Sequence, residues 1–118
     1  MRVLVCGGRD YRDGPHLFAT LTGLNISRGP ISHVIHGCAK GADSLAAQWA
    51  ANAGADNVVQ VPFRADWTNF GRRAGPIRNQ RMLDEGKPDV VVAFPGGSGT
   101  ADMVRRAKAA GLEVIEVS

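Results

Sequence analysis

The strongest constraint on the fold of this chain is a regular alternation of short apolar runs with longer amphipathic stretches. The runs are rich in Val or Ile and are bounded by Gly, Pro or polar residues, a pattern typical of buried strands. They predict strands at Val3–Gly7, His33–His36, Val58–Pro62, Val90–Phe94 and Val114–Val117. The stretches between them predict helices near Pro15–Leu24, Ala42–Ala53, Pro76–Glu85 and Thr100–Ala110.

Strict alternation of strand and helix favours a parallel sheet that is covered by helices on both faces. The chain has 118 residues, of which 44% are hydrophobic, and this suffices for one core. We therefore expect an α/β fold, namely a single Rossmann-like domain over residues 1–118 with a five-stranded parallel sheet in the order 3-2-1-4-5. Gly54 and Gly111 are expected to end helices, and Pro76 suits a first helical turn, which does not need its missing N–H.

We expect a cytoplasmic protein that does not contact a membrane. No apolar run approaches the ~20 residues that span a bilayer. Met1-Arg2 leads straight into the first strand, without the pattern of a signal peptide. Cys6 and Cys38 lack the spacing of metal ligands and are interpreted as buried free thiols, so we expect neither a metal nor a cofactor.

A glycine-rich turn, Pro95-Gly96-Gly97-Ser98-Gly99-Thr100, follows the most apolar strand and opens a helix. Glycine lets a ligand approach the backbone closely because it has no side chain. The N–H groups at the start of a helix, together with the hydroxyls of Ser98 and Thr100, can hold a phosphate. The turn therefore predicts an anion-binding site.

Three further segments are expected at the same edge of the sheet, since ligands of open α/β sheets bind at the carboxyl ends of the strands. Gly7-Gly8-Arg9-Asp10-Tyr11 follows the first strand, Gly37–Ser44 the second, and Phe63–Gly75 the third. The third segment is predicted to be an irregular loop that covers the ligand. We expect the switch point between Gly7-Gly8 and Pro95-Gly96, and the phosphate on the N–H groups near Gly97–Thr100, helped by Arg78 or Arg9.

The third segment and the helix after it are basic and partly aromatic. Trp67 and Phe70 have the ring systems to stack on a base, whereas Trp49 is interpreted as a packing residue. Five arginines fall close together and are opposed there only by Asp66; they are Arg64, Arg72, Arg73, Arg78 and Arg81. Arginine suits phosphate recognition, but the cluster fits a solvated basic face equally well.

The second segment leaves two interpretations open for its polar residues. Lys40 precedes Gly41 as in a phosphate-binding P-loop, but Ala42 stands where that motif needs Ser or Thr. Asp43 is expected to stabilise the start of its helix, to accept hydrogen bonds from the hydroxyls of a ribose, or to do both. His36, at the end of a strand, either faces the site or is a hydrogen-bonded structural residue.

Taken in order, these motifs resemble the YspA-type, cpYpsA-related branch of the SLOG superfamily. The segments that carry the resemblance are Gly7–Tyr11, His36–Asp43, Gly75–Met82 and Pro95–Thr100. The resemblance implies a Rossmann-like sheet and a nucleotide or nucleotide-derived ligand. Together with the edge of the sheet, it marks as candidate ligand-binding residues Gly7, Gly8, Arg9, Gly37, Lys40, Asp43, Trp67, Arg78, Asn79, Pro95, Gly96, Gly97, Ser98, Gly99 and Thr100.

Two groups of relatives imply different activities. The segment Gly37–Asp43 is similar to the Gly-x-Ala-x-Gly-Ile-Asp motif of DprA proteins, which hold single-stranded DNA. The turn Pro95–Thr100 is similar to the Pro-Gly-Gly-x-Gly-Thr-x-x-Glu motif of LOG enzymes, which hydrolyse the N-glycosidic bond of nucleoside monophosphates. LOG relatives also form dimers, so the resemblance leaves a homo-oligomer open.

The glutamate of the LOG motif corresponds to Met103 in this chain. A thioether cannot act as a base or stabilise a developing positive charge. The sequence therefore favours a module that senses or sequesters a nucleotide. LOG-like hydrolysis is the alternative, with Arg78, Asp43 and Asp102 as candidate catalytic residues, and single-stranded nucleic-acid binding is a further alternative.

Overall fold

The computed structural model describes residues 1–52 and 57–118, so Ala53 and Gly54, the predicted end of the second helix, lie outside the described residues. Its strands are β1 (Arg2–Cys6), β2 (His33–His36), β3 (Val59–Pro62), β4 (Val90–Ala93) and β5 (Glu113–Glu116). They form one sheet in the order β3-β2-β1-β4-β5, and every neighbouring pair is parallel. The predicted strand order is confirmed, with β1 in the centre and β4 beside it.

The helices are α1 (Gly14–Ser27), α2 (Ala42–Asn52), α3 (Trp67–Phe70), α4 (Ala74–Asp84) and α5 (Ser98–Ala109). Gly111 follows α5 with a φ of 78°, in the left-handed conformation that often ends a helix. Pro76 lies in the first turn of α4, as predicted. Within the two described ranges, none of the helices combines the length and the apolar character needed to cross a bilayer.

Two hydrophobic cores lie on opposite faces of the sheet because successive residues of a strand point in opposite directions. On β1, Val3 and Val5 belong to the core that packs under α1 and α2. Leu4 and Cys6 belong to the core that packs under α4 and α5. Burying one such aliphatic side chain contributes about 1.5–3 kcal/mol, so the two cores hold the carboxyl ends of the central strands in place.

The first core also contains Trp49 of α2, whose exposed fraction is 1%. Its indole N–H donates a hydrogen bond to the hydroxyl of Thr22, at 3.0 Å. The ring therefore joins α2 to α1, and the interpretation of Trp49 as a packing residue is confirmed.

The prediction of an irregular loop over Phe63–Gly75 is wrong, since the chain is helical from Trp67 onward. The side chain of Asp66 accepts hydrogen bonds from the backbone N–H of Asn69 at 3.1 Å and from its side-chain amide at 2.7 Å. This cap starts α3, and one turn of 3-10 helix, Gly71–Arg73, joins α3 to α4. The cap supplied by Asp66 thus starts a helix in this segment, and Gly71, whose φ is 54°, ends that helix after one turn.

Candidate functional site

A cavity of about 630 Å³ lies at the carboxyl ends of β1 and β4, between the loop after β2 and the helices α3, α4 and α5. The structure brings most of the predicted binding residues to its wall; these are Gly7, Gly8, Arg9, Gly37, Asp43, Trp67, Arg78, Asn79, Gly97, Ser98, Gly99 and Thr100. Three others do not line it. Lys40 is exposed to solvent, and Pro95 and Gly96 line a second cavity on the far side of the first turn of α5.

The loops after β1, β2 and β4 pack backbone against backbone. The N–H of Gly8 donates to the carbonyl oxygen of Pro95 at 2.9 Å, and the N–H of Ala42 donates to that of Gly8 at 3.2 Å. A Cβ atom on Gly7 would lie 2.6 Å from the Cβ of Ala42. One on Gly41, whose φ is 75°, would collide with the Gly8 carbonyl oxygen. Glycine is required here by close approach of the loops.

The start of α5 is built differently. Gly97 precedes the helix and supplies no capping side chain, and the first intrahelical bond runs from the N–H of Ala101 to the Gly97 carbonyl oxygen, at 3.0 Å. The N–H groups of Ser98, Gly99 and Thr100 therefore precede the ladder of the helix. A Cβ atom added to Gly97 or to Gly99 would have no neighbour within 4 Å. This turn is open to the cavity.

Asp43 organises the loop after β2. Its Oδ2 atom accepts hydrogen bonds from the backbone N–H groups of Gly37 and Ala39, both at 3.2 Å. Burial raises the pKa of Asp43 above its ordinary value, although the N–H of Ala39 and the charge of Arg78 oppose the rise. The carboxylate thus bonds to the loop before α2, and the same side chain lines the cavity.

Arg78 and Asn79 of α4 connect the two sides of the cavity. Arg78 donates from Nη1 to the Gly37 carbonyl oxygen at 2.7 Å and from Nε to Oδ1 of Asn79 at 3.2 Å. The amide of Asn79 donates to the Gly99 carbonyl oxygen at 3.2 Å and to Asp102 Oδ2 at 3.0 Å. One hydrogen-bonded chain therefore runs from the loop after β2 to the first turns of α5.

Asp102 is a buried acceptor at the end of that chain. Besides Asn79, it accepts hydrogen bonds from Arg106 at Oδ2 (2.9 Å) and from Arg105 at Oδ1 (2.7 Å). Burial alone would raise its pKa, but the hydrogen bonds of Asn79 and Arg106 and the charges of both arginines outweigh burial, so the pKa lies below its ordinary value. Both oxygens are engaged, which suits a structural carboxylate better than a proton acceptor.

The predicted arginine cluster is divided by the structure. Arg72 and Arg78 line the cavity, whereas Arg64, Arg73 and Arg81 do not. Arg81 pairs with Glu85 at 2.9 Å and lies over the ring of Phe63. The guanidinium carbon of Arg9, from the other side of the cavity, lies 5.5 Å from the centre of the Trp67 ring.

Arg105 is a cavity residue that the sequence interpretation missed. Residues three or four apart share one face of a helix. Asp102 follows Ser98 by four residues and Arg105 follows Asp102 by three, so the three side chains lie along one face of α5. That periodicity on α5 could have identified it, because Ser98 was already placed at the site.

Cys6 and Met103 form part of the floor of the cavity. Burial, with a smaller effect of the Asp43 charge, raises the pKa of the Cys6 thiol to about 12, so it stays protonated at neutral pH. Met103 is 1% exposed and belongs to the core under α4 and α5. Cys38 is only half-buried, so its interpretation as a buried thiol is wrong.

His36 is a hydrogen-bonded structural residue and does not line the cavity. Its Nδ1 atom accepts a hydrogen bond from the N–H of Cys38 at 3.2 Å, and its Nε2 atom pairs with Oε1 of Gln60 at 3.2 Å. Over residues 1–52 and 57–118, no three metal-ligating side chains come close enough together to hold an ion.

An open parallel α/β sheet with a polar cavity at the carboxyl ends of its central strands defines a Rossmann-like domain. The model of the family described as YspA, cpYpsA-related SLOG family matches residues 1–70, more than half of the chain. The chain is also 39% identical to the Gene 61 protein of Mycobacterium phage D29, over 97% of this chain and 94% of that protein. The chain therefore belongs to the YspA, cpYpsA-related SLOG family, which confirms the resemblance found in the motifs.

Proposed function

We propose that the cavity binds a nucleotide or nucleotide-derived molecule and that the protein senses or sequesters this ligand in the cytoplasm. The observation that carries the proposal is that a cavity with cationic and aromatic walls opens onto the uncapped first turn of α5. A phosphate needs hydrogen-bond donors and positive charge, and a base needs an aromatic or guanidinium face. Family membership supports the same class of ligand.

The phosphate is assigned to the first turn of α5. The N–H groups of Ser98, Gly99 and Thr100 point out of the helix start, where the helix dipole also favours an anion. Arg78 uses Nε and Nη1 for protein contacts, and its guanidinium has five N–H donors in all. Burial, partly offset by Asp43, lowers the pKa of Arg78. The negative charge of a phosphate beside the guanidinium would raise the pKa of Arg78 again.

The base is assigned to Trp67. Trp67 is 48% exposed and Arg9 lies over its ring, so the residue has surface left on which a second planar group can stack. Asp43 also lines the cavity and is a candidate acceptor for the hydroxyls of the ribose. The ligand would thus contact the segments that follow β1, β2 and β3 and the start of α5.

Binding without hydrolysis agrees with the floor of the cavity. Met103 supplies no carboxylate at the position of the LOG glutamate, and both oxygens of Asp102 are engaged. Asp43 is the remaining carboxylate for the hydrolase alternative, with Arg78 as the other candidate catalytic residue. The single-strand alternative gains less support, because Arg64, Arg73 and Arg81 lie away from the cavity wall.

Gly97→Asp tests the proposal. It should reduce the affinity for nucleoside monophosphates and ADP-ribose at least about ten-fold, because a carboxylate would occupy the open turn and repel the phosphate. Isothermal titration calorimetry measures the loss, and chromatography of the same mixtures detects released base.

Gly23→Asp is the matched control, since it adds the same charge on α1, where an added Cβ also has no neighbour within 4 Å. It should bind as the wild type does. Unchanged affinity in a folded Gly97→Asp protein would show that the phosphate does not lie on this turn, and rapid release of base by the wild type would favour the hydrolase.

A further inference from the structure

A second cavity, of about 590 Å³, adjoins the first across the first turn of α5. The two cavities have Gly97, Thr100 and Arg105 in common. A Cβ atom on Gly97 would have no neighbour within 4 Å, so the space around this residue is open. The two cavities therefore adjoin at the first turn of α5.

The second cavity differs in character from the first. Ala93 and Phe94, at the end of β4, are buried in its floor, and Val104 and Val117 contribute apolar side walls. The first cavity has Asp43, Arg78 and Asn79 in its wall instead. The second is therefore suited to an uncharged ring rather than to another phosphate.

The charged groups at the rim of the second cavity are largely paired. Lys108 donates to Glu116 at 3.1 Å, so this pair offers little net charge to a ligand. Arg105 contacts Asp102 with Nη2 while 71% of its side chain is exposed. Because Arg105 borders both cavities, its positive charge lies at their junction.

We propose that the second cavity holds a second organic group of the same ligand, joined to the nucleotide through its phosphate. The ligand class is thus a phosphodiester or diphosphate with a nucleoside in the first cavity and an uncharged ring in the second. The linking phosphate lies at the junction, beside Thr100 and Arg105. This inference rests on the proposed function, because it takes the nucleotide in the first cavity as its starting point.

Three probes test it: AMP, ADP and diadenosine diphosphate. The wild type should bind diadenosine diphosphate at least about ten-fold more tightly than ADP. Since diadenosine diphosphate carries less negative charge than ADP, a gain of this kind cannot come from electrostatic attraction to the arginines. Calorimetry with all three ligands measures the difference.

Ala101→Trp fills the second cavity from an exposed position on α5, so the fold should be kept. This variant should lose the preference for diadenosine diphosphate while its affinity for ADP stays unchanged. Ala109→Trp is the matched control, because Ala109 is exposed on the same helix and lines neither cavity. It should keep the preference in full.

Equal affinity of the wild type for ADP and diadenosine diphosphate overturns the inference, and so does a preference that survives in Ala101→Trp. Failure of the proposed function has a different signature: AMP and ADP then do not bind, or their binding is insensitive to Gly97→Asp. Absence of binding by all three probes overturns both.

Discussion

The glycines on the two sides of the cavity have different structural roles, although the sequence does not distinguish them. Gly7, Gly8 and Gly41 lie where one loop touches another, and a side chain there would collide with a neighbour. Gly97 and Gly99 border open space. The glycines of such segments are thus of two kinds, those that let the loops pack together and those that leave room for a ligand. Both kinds occur in the turn before α5, where Gly96 packs against Gly8 and Thr100, so only the contacts distinguish them.

The largest expected effect is on the packed side. Gly41→Ala should lower the free energy of unfolding by roughly 2–5 kcal/mol, because it combines a left-handed backbone conformation (~1–2 kcal/mol) with a steric collision against Gly8 (~1–3 kcal/mol). Urea unfolding followed by tryptophan fluorescence measures the loss.

Gly111→Ala separates the two contributions to that loss. Gly111 has a φ of 78°, close to the 75° of Gly41, but an added Cβ has no neighbour within 4 Å. The free energy of unfolding of this control should fall by only about 1–2 kcal/mol, which is the contribution of the left-handed conformation alone. Equal losses in the two variants would mean that loop contact adds nothing at Gly41, and the comparison between packed and open glycines would not hold.

Asp43 and Asp102 are both buried in the described part of the chain, and their pKa values are shifted in opposite directions. Asp43 belongs to the packed loops and its pKa is raised by burial, whereas Asp102 belongs to α5 and its pKa is lowered, because its hydrogen bonds outweigh burial. As pH rises from the ordinary value of 3.8 toward the raised pKa, Asp43 reduces stability. Asp102 contributes stability above 3.8 that is lost as pH falls through its lowered pKa.

Asp102→Asn should therefore lower the free energy of unfolding by about 1–2 kcal/mol at neutral pH, because Arg106 and Asn79 lose a charged acceptor. The variant should also lose less stability than the wild type when the pH falls below 3.8. Asp43→Asn should lower the free energy of unfolding by less, because an amide oxygen can still accept hydrogen bonds from the N–H groups of Gly37 and Ala39. It should also remove the fall in stability that the wild type shows as the pH rises above 3.8. Unfolding free energies measured from about pH 2 to about pH 8 test both variants. Identical pH profiles for the two variants would contradict the assigned environments.

The topology could be predicted because it depends on periodicity, which each element carries in its own residues. The apolar run Val90–Phe94 indicates a buried strand whatever its neighbours are, and alternating strands and helices permit few arrangements. The edge of the sheet that carries the cavity followed from the same reasoning. The predicted positions of Gly7, Arg9, Gly37 and the α5 turn therefore needed no contact information.

What could not be predicted depends on contacts between elements. Lys40 has the right residue type beside a glycine, but the loop after β2 turns it to solvent. Pro95 and Gly96 belong to the expected turn, yet the packing of α5 on the sheet places them on the second cavity. The helix that begins at Trp67 depends on the hydrogen bonds that Asp66 accepts from Asn69. The sequence pattern does not show that these bonds form, because it shows only a stretch with glycines.

The smallest expected effect is on the open side and has the opposite sign. Gly99→Ala should raise the free energy of unfolding by about 0.5–1 kcal/mol, because alanine restricts the unfolded chain and favours the helix in which Gly99 already lies. The new methyl group meets no atom within 4 Å. Thermal unfolding measures the gain, and calorimetry with AMP should show a fall in affinity smaller than that of Gly97→Asp, since a methyl group adds bulk near the phosphate without charge. A loss of stability in Gly99→Ala would mean that Gly99 is required by close contacts, as Gly7 and Gly41 are. The start of α5 would then not be an open side of the cavity.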